Sequence, residues 1–273
     1  MCKQSETTDC RLLIDPPGSG EWNMAVDEVL LEQVAAGGDC CWRFYRWAEP
    51  TLSLGYFQPI EDRDRHAASR DCPVVRRASG GGAIVHDAEL TYSFVVPATH
   101  PLAARRSLMY RAVHDTLLEV LPVLGLQGSL HGNSDGRQSD RQAFLCFERR
   151  SPGDVIVGES KIAGSAQRRM HSAVLQHGSL LLARSAAAPE LDGVEDLSGT
   201  SLSFQPLIDL WLERLSRRLR LDWHVDPLSE REKLRAAELV QTKYGNRRWT
   251  ENRGRQAAGK QCRAAVWLPV HFA

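Results

Sequence analysis

The sequence predicts an α+β domain built on a mixed or antiparallel sheet. Strand-like apolar runs recur between residues 11 and 182, and two amphipathic helices at 21–36 and 108–124 interrupt them. Two further helices, at 207–219 and 230–244, are segregated on the C-terminal side. Strict strand–helix alternation would signal a doubly wound parallel sheet; strands followed by segregated helices do not.

Residues 1–10 read as a loose tail, and Arg11 to Asp15 as a short strand closed by Pro16-Pro17-Gly18. From Glu21 to Ala36, the residues Trp22, Met24, Ala25, Val26, Val29, Leu30, Leu31 and Val34 recur at helical spacing. Gly37-Gly38 stops that helix. Cys41 to Trp47 is rich in strand formers, and a second strand starts after Pro50. Residues 61–71 are charged and helix-compatible. Val74-Val75 enters a glycine-rich stretch that Leu90 to Val96 leaves. Residues 127–142 are polar and without periodicity, as in a mobile surface loop. Asp154 to Gln167 reads as a hairpin with Lys161 just past its turn, followed by a strand over 174–182. A Ser/Ala/Gly/Pro-rich connection spans 183–202, and Ala264 to Leu268 offers a last strand.

The 273 residues fit one large domain or a domain with a small appendage. The 34 basic and 34 acidic side chains remove a general electrostatic case for nucleic acid or an anionic membrane. No apolar run approaches the roughly 20 residues that span a bilayer. The polar start, Met1 to Glu6, is not a secretion signal. The seven cysteines lack metal-ligand spacing and read as reduced thiols, so no metal and a cytoplasmic location are expected.

Four groups could carry chemistry. In Arg76-Arg77-Ala78-Ser79-Gly80-Gly81-Gly82 the glycines cost backbone entropy. Either the stretch is a hairpin turn with a basic rim, or its amides and an arginine cradle a carboxylate, phosphate or polarised carbonyl. Lys161 either points to solvent or faces a ligand across Gly158, Ala163, Gly164, Ser165 and Ala166. Cys146, among Phe144, Leu145 and Phe147, is either an inert apolar thiol or a nucleophile whose thiolate a nearby lysine favours. A cysteine attacking a thioester would conserve the acyl bond energy and pass the acyl group to an amine without ATP. His86 and His177 serve either as acid/base groups or as structural hydrogen-bonders. No Gly-x-Ser-x-Gly elbow and no Walker phosphate loop is present.

From about Arg11 to about Trp249 the chain resembles the biotin/lipoate protein ligase and octanoyltransferase superfamily. The resemblance rests on Asn23-Met24-Ala25-Val26-Asp27-Glu28, on Phe44 to Trp47 with Pro50, Gly55 and Gln58, and on Arg76-Arg77-x-Ser79-Gly80-Gly81-Gly82-Ala83-x-x-His86-Asp87. It continues in Leu90-Thr91-Tyr92-Ser93, Lys161 to Gln167, His177-Gly178-Ser179-Leu180-Leu181 and Lys243-Tyr244-Gly245-x-x-x-Trp249. It implies a catalytic domain over 11–250, with the mixed sheet and flanking helices of biotin ligases and class II aminoacyl-tRNA synthetases, and a short extension over 251–273. It also implies an acyl tunnel lined by Arg77, Ser79, Gly80, Gly81, Gly82, His86, Gly164, Ser165, Ala166, His177 and Gly178, with Lys161 on the acyl carbonyl or an adenylate phosphate.

Two chemistries share that domain. A transferase branch moves octanoate from acyl carrier protein through a cysteine thioester, with no cofactor. Lipoate ligases use ATP and Mg2+ and commonly carry a further C-terminal domain. Cys146-Phe147 stands before the lysine strand as in the transferases, and only 24 residues follow Trp249. An octanoyl or lipoyl transferase is therefore expected, with Cys146 and Lys161 catalytic. Its acceptor would be a lysine of the glycine cleavage H protein or of a lipoyl domain of a 2-oxoacid dehydrogenase. An ATP-dependent ligase and a non-catalytic binder are the alternatives. Glu148 to Gly153 departs from the aromatic-rich segment common after the cysteine in that branch.

Overall fold

A computed structural model describes residues 7–132, 143–170 and 172–251. In chain order the elements are β1 (Thr8–Ile14), α1 (Gly20–Ala35), β2 (Cys40–Tyr45), β3 (Thr51–Leu54), β4 (Val74–Arg76), β5 (Ile84–His86) and β6 (Glu89–Pro97). Then follow α2 (Arg106–Val120), β7 (Ser129–Leu130), β8 (Val155–Val157), β9 (Ser160–Met170) and β10 (Ala173–Leu181). The chain continues through α3 (Val194–Ser198), α4 (Phe204–Leu219), β11 (Leu221–Val225), α5 (Glu230–Leu239) and α6 (Arg247–Glu251), with a π-helical turn, Val240–Tyr244, joining α5 to α6.

Eight strands form one mixed sheet in the order β11-β1-β2-β6-β10-β9-β8-β7. The contacts of β1 with β11 and β2 are parallel, and the rest are antiparallel. Its two faces are both covered. Trp42, Phe44, Phe94 and Val174 point to a core shared with Val113 and Leu117 of α2 and Trp211 of α4. Their neighbours Cys41, Tyr45, Val95 and Leu175 point the other way, onto Val26 and Leu30 of α1 and Leu239 of α5. Side chains alternate along a strand, so a sheet buried on both faces reads as an unbroken apolar run.

Capping explains the helix boundaries. The Ser19 hydroxyl accepts from the Trp22 amide at 3.3 Å to start α1. Ser229 and Glu232 satisfy each other's backbone amides at the start of α5. One buried ion cluster ties α1 to the sheet. Arg43, fully buried on β2, donates to Asp15 at 2.6 Å, to Asp27 at 2.9 Å and to the Asn23 side chain at 3.0 Å. Asn23 and Asp27 sit four residues apart on one helix face, which accounts for their place in the sequence motif.

Several expectations change. The flanks of the glycine stretch are not a hairpin: β4 and β5 never pair with each other, and both pair with β3 in a small separate sheet, β4-β3-β5. The glycines must therefore cross over β3. The first strand begins at Thr8 rather than Arg11. Residues 60–69 form two 3-10 turns, not a longer helix. The 183–202 connection contains α3, and β11 lies where no strand was expected. β7 occupies 129–130, whereas 133–142 and the strand expected near 264–268 lie outside the described residues. The 154–167 hairpin is present as β8–β9, turning through Gly158 at φ +56°. No helix among the described residues is long and apolar enough to cross a membrane.

Candidate active site

The glycine loop is shaped by Arg77. Strand alternation at the end of β4 sends Arg76 and Arg77 to opposite sides. The Arg77 guanidinium donates to the Ser53 carbonyl at 2.9 Å and the Ser53 hydroxyl at 2.6 Å. Its other nitrogen donates to the carbonyls of Gly80 at 3.2 Å and Gly82 at 2.8 Å. Burial draws this guanidinium down to about 10, so it stays charged at neutral pH. With the carbonyls turned toward Arg77, the amides of Gly80, Gly81 and Gly82 donate to no group among the described residues. Gly81 sits at φ +101°, a conformation glycine supplies without steric cost.

Gly55 makes the loop's path feasible. A Cβ there would stand 2.1 Å from the Gly81 carbonyl oxygen. That obstacle is backbone and cannot swing away. Gly55→Ala is expected to destabilise the protein by about 1–3 kcal/mol, the usual cost of overpacking. Thermal unfolding should show it, and an unchanged midpoint would refute the close approach.

The loop is bonded to the cysteine segment. The Cys146 amide donates to the Ala83 carbonyl at 2.7 Å, and the Ala83 amide to the Phe144 carbonyl at 3.2 Å. Cys146 opens a short 3-10 turn, Cys146–Glu148, and is half-buried. A Cβ on Gly82 would lie 3.2 Å from the Cys146 amide nitrogen and Cα, close enough that the cysteine segment would have to shift by a few tenths of an ångström.

Lys161 reaches the same point from β9. Its Nζ lies 3.9 Å from Cys146 Sγ and donates to the carbonyls of Cys146 and Arg149, each at 3.2 Å. It pairs with Asp154 Oδ2 at 2.8 Å and stands 5.2 Å from the Phe147 ring centroid. Lys161 is only 6% exposed, so it does not point to solvent. Gly164 clears its way: a Cβ there would stand 2.7 Å from Lys161 Cε.

The other expected residues form two groups. Ser79 Oγ lies 2.5 Å from His177 Nε2, and His177 Nδ1 lies 3.4 Å from Asp27 Oδ2. Burial pushes the Asp27 carboxyl up, but His177 and Arg43 outweigh it and hold it below the usual carboxylate range. Ser79 and His177 line a cavity with Met24, Leu31, Met170, Leu175 and Tyr244. Neither Cys146 nor Lys161 lines that cavity.

His86 is not part of either site. Its Nε2 meets the Ser53 hydroxyl at 2.6 Å, its Nδ1 meets Glu89 at 2.7 Å, and its ring stacks on Trp47 at 3.9 Å. Burial lowers its pKa although Glu89 opposes the shift, so the ring is held neutral behind Arg77. Ser165 also turns from the Lys161 side. Its hydroxyl bonds His114 and Tyr92, each at 2.6 Å. Gly178 admits that hydroxyl, since a Cβ there would lie 2.3 Å from it. Ala166 is paired with His177 in the β9–β10 register.

Two residues of the site escape the sequence reading, Asp154 and Tyr110. Asp154, 1% exposed, reads in the sequence only as the first residue of a strand, and Tyr110 only as part of an amphipathic helix. A carboxylate seven residues before Lys161, across a tight turn, is the signal the sequence holds. Among the described residues no three His, Cys, Asp or Glu side chains gather as a metal site.

A mixed sheet covered by helices on both faces, with a glycine loop that crosses β3 and is bonded to the cysteine segment reached by Lys161 of β9, is the arrangement of a lipoate-ligase-like catalytic domain. The chain belongs to the lipoyl protein ligase A/B catalytic domain family, whose model matches residues 19–188. It is 36% identical to an octanoyltransferase LipM of Macrococcus caseolyticus over 76% of this chain and 73% of that one. It is 30% identical to the octanoyltransferase LipM of Carboxydothermus hydrogenoformans over 85% of this chain and 94% of that one. With such relatives the chain is an acyltransferase. Among solved structures, a putative lipoate protein ligase from T. acidophilum superposes with a TM-score of 0.74 at 26% identity, covering 89% of this chain and 99% of that one. A lipoate-protein ligase A bound with ATP gives 0.72 at 25% identity, covering 90% and 99%.

Proposed function

We propose that this acyltransferase is an octanoyltransferase of protein lipoylation, and that residues 11–250 are its catalytic unit. Cys146 takes the octanoyl group from acyl carrier protein, and a lysine of a lipoyl domain or of the glycine cleavage H protein receives it. The observation that carries the reading is Cys146 Sγ at 3.9 Å from Lys161 Nζ, beside a loop with unengaged amides. The names of the curated relatives support it.

In the first half-reaction the Cys146 thiolate attacks the carbonyl carbon of the carrier's thioester. Negative charge develops on the carbonyl oxygen, where Lys161 and the amides of the glycine loop stabilise it. The C–S bond to the carrier breaks, and the departing thiolate takes a proton from solvent, which balances the one the Cys146 thiol gave up to solvent on ionising. In the second, the acceptor's neutral amine attacks the Cys146 thioester, loses a proton and forms the amide as the Cys146 thiol departs. The remainder of the acyl chain runs toward Ser79 and His177, whose cavity is lined by Met24, Leu31 and Leu175 together with the charged Asp27, Glu28 and Arg168. The transferase reading needs no cofactor.

The test offers apo-acceptor with octanoyl-acyl carrier protein and no nucleotide, in parallel with free octanoate or lipoate plus ATP and Mg2+. Modification only in the first mixture is expected. Modification only in the second assigns the ligase chemistry of the structurally similar ATP-bound protein instead. A lack of turnover with either donor, despite binding of the acceptor, assigns a non-catalytic binder.

A further inference from the structure

We infer that Asp154, braced by Tyr110, is a positioning residue that keeps Lys161 an ammonium fixed beside Cys146, so that the lysine acts as a stationary cation and not as the acceptor of the thiol proton. The inference rests on Cys146 and Lys161 being the reacting pair, and it goes beyond that reading by assigning the lysine one protonation state throughout.

Hydrogen-bond inventory makes the case. An ammonium has three N–H donors and no acceptor, whereas a neutral amine has two donors and one lone pair. Lys161 Nζ is met by three pure acceptors: Asp154 Oδ2 at 2.8 Å and the carbonyls of Cys146 and Arg149 at 3.2 Å. A neutral amine would aim its lone pair at one of these oxygens. The ammonium satisfies all three, and Cys146 Sγ at 3.9 Å stands as a fourth, longer neighbour.

Asp154 is itself held rigidly. Tyr110 donates its hydroxyl to Oδ1 at 2.6 Å, and the Ser151 amide donates to Oδ2 at 2.7 Å. The Tyr110 oxygen accepts from the Ser165 amide at 3.1 Å, which locks α2 to β9. His114, one turn further along α2, bonds the Gly153 carbonyl at 2.7 Å. Burial pushes it down to about 4, so it is neutral and adds no competing charge. The titratable groups facing Lys161 are thus Asp154 and Cys146, with Tyr110 behind Asp154. Burial pulls the Lys161 pKa down, but Asp154 and then Cys146 outweigh it, and the value stands above that of an ordinary lysine.

The test reads the protonation state of Lys161 in two ways. In wild-type protein, the 13Cε resonance of Lys161 should keep its ammonium position up to about pH 10. Titration of that signal below about pH 9 would overturn the proposal, and this readout needs no acyl transfer. In Asp154→Asn the shape is kept and the charge is lost. A buried lysine without its carboxylate titrates up to about 3–5 units lower. Its kcat should therefore fall as pH rises through a new alkaline limb absent from wild type, with KM for the acceptor domain unchanged. Asp154→Glu, which restores the charge, should remove that limb while kcat stays below wild type. A merely structural Asp154 would lower the melting temperature and leave the shape of the pH profile alone, and that result would refute the assignment. Transfer surviving in Cys146→Ala would instead sink the proposed function, so the two failures are distinguishable.

Discussion

Cys146→Ala is expected to abolish transfer from octanoyl-acyl carrier protein, with a loss of at least about 10³-fold in kcat, the scale seen when an enzyme loses its nucleophile. The side chain is small and half-buried, and the amide that bridges to Ala83 is kept, so the fold should survive. Circular dichroism and the melting temperature should match wild type. Mass spectrometry of wild-type protein mixed with the octanoyl donor should show one octanoyl group on the Cys146 peptide, and none in the variant. Full activity in the alanine variant would remove the thioester route. The chain holds other thiols, but Cys10, Cys40 and Cys41 are buried in the sheet, and burial pushes the Cys10 and Cys41 pKa values far up. Cys10 and Cys41 are therefore poor substitutes for a nucleophile that must ionise.

Lys161→Met should cost both activity and stability, and the two losses should separate. Removing the ammonium leaves Asp154 as a buried, unpaired carboxylate. Stranding one partner of a buried pair costs about 3–5 kcal/mol, a shift on the order of 10 °C in a protein of this size. Adding Asp154→Asn removes the stranded charge, so the double variant should recover most of the melting temperature. It should recover none of the transfer, because the cation beside Cys146 and the carbonyl oxygen remains missing. Thermal unfolding and the transfer assay, run on both variants, check this. A double variant that regains activity would show that Lys161 serves the fold alone.

Much of this was legible in the chain because local rules and the fold agreed. Helical spacing over 21–36 finds α1, although the helix is buried on most of its circumference, between the sheet and α5. Lys161 stood out as a charge in a strand of small residues, and Gly164 proves to be the opening that its side chain needs. The rest depends on contacts between distant segments. β11 was missed because it is a short edge strand, Leu221 to Val225, held by parallel pairing to β1 at the other end of the described chain. A hairpin stays one of two readings of the glycine stretch because nothing local reveals that β3 lies between its flanks. The family resemblance alone places His86 on the substrate, and its position after the glycines allows a structural role equally well; Glu89 and Ser53 take both of its nitrogens. Asp154 was missed because a carboxylate declares its role only beside the lysine it faces.

Adjacent arginines at the end of β4 join parts of the chain that are remote in sequence. Arg77 grips the glycine loop, whereas fully buried Arg76 donates to the carbonyls of Gly55 and Gln58 and, at 2.8 Å, to that of Thr250 in α6. Trp249 returns the contact, donating its indole N–H to the Arg76 carbonyl at 3.0 Å. Fraying of α6 would thus take the Thr250 carbonyl from a buried guanidinium that keeps Gly55 and Gln58, a penalty that discourages α6 from opening while the root of the loop stays closed. The loop and α6 therefore belong to one cooperative unfolding unit. The amides of Arg77 and Tyr56, which donate to the Leu54 and Ser79 carbonyls at the root of the loop, should exchange at a common rate with those of α6, although 174 residues separate Arg76 from Thr250.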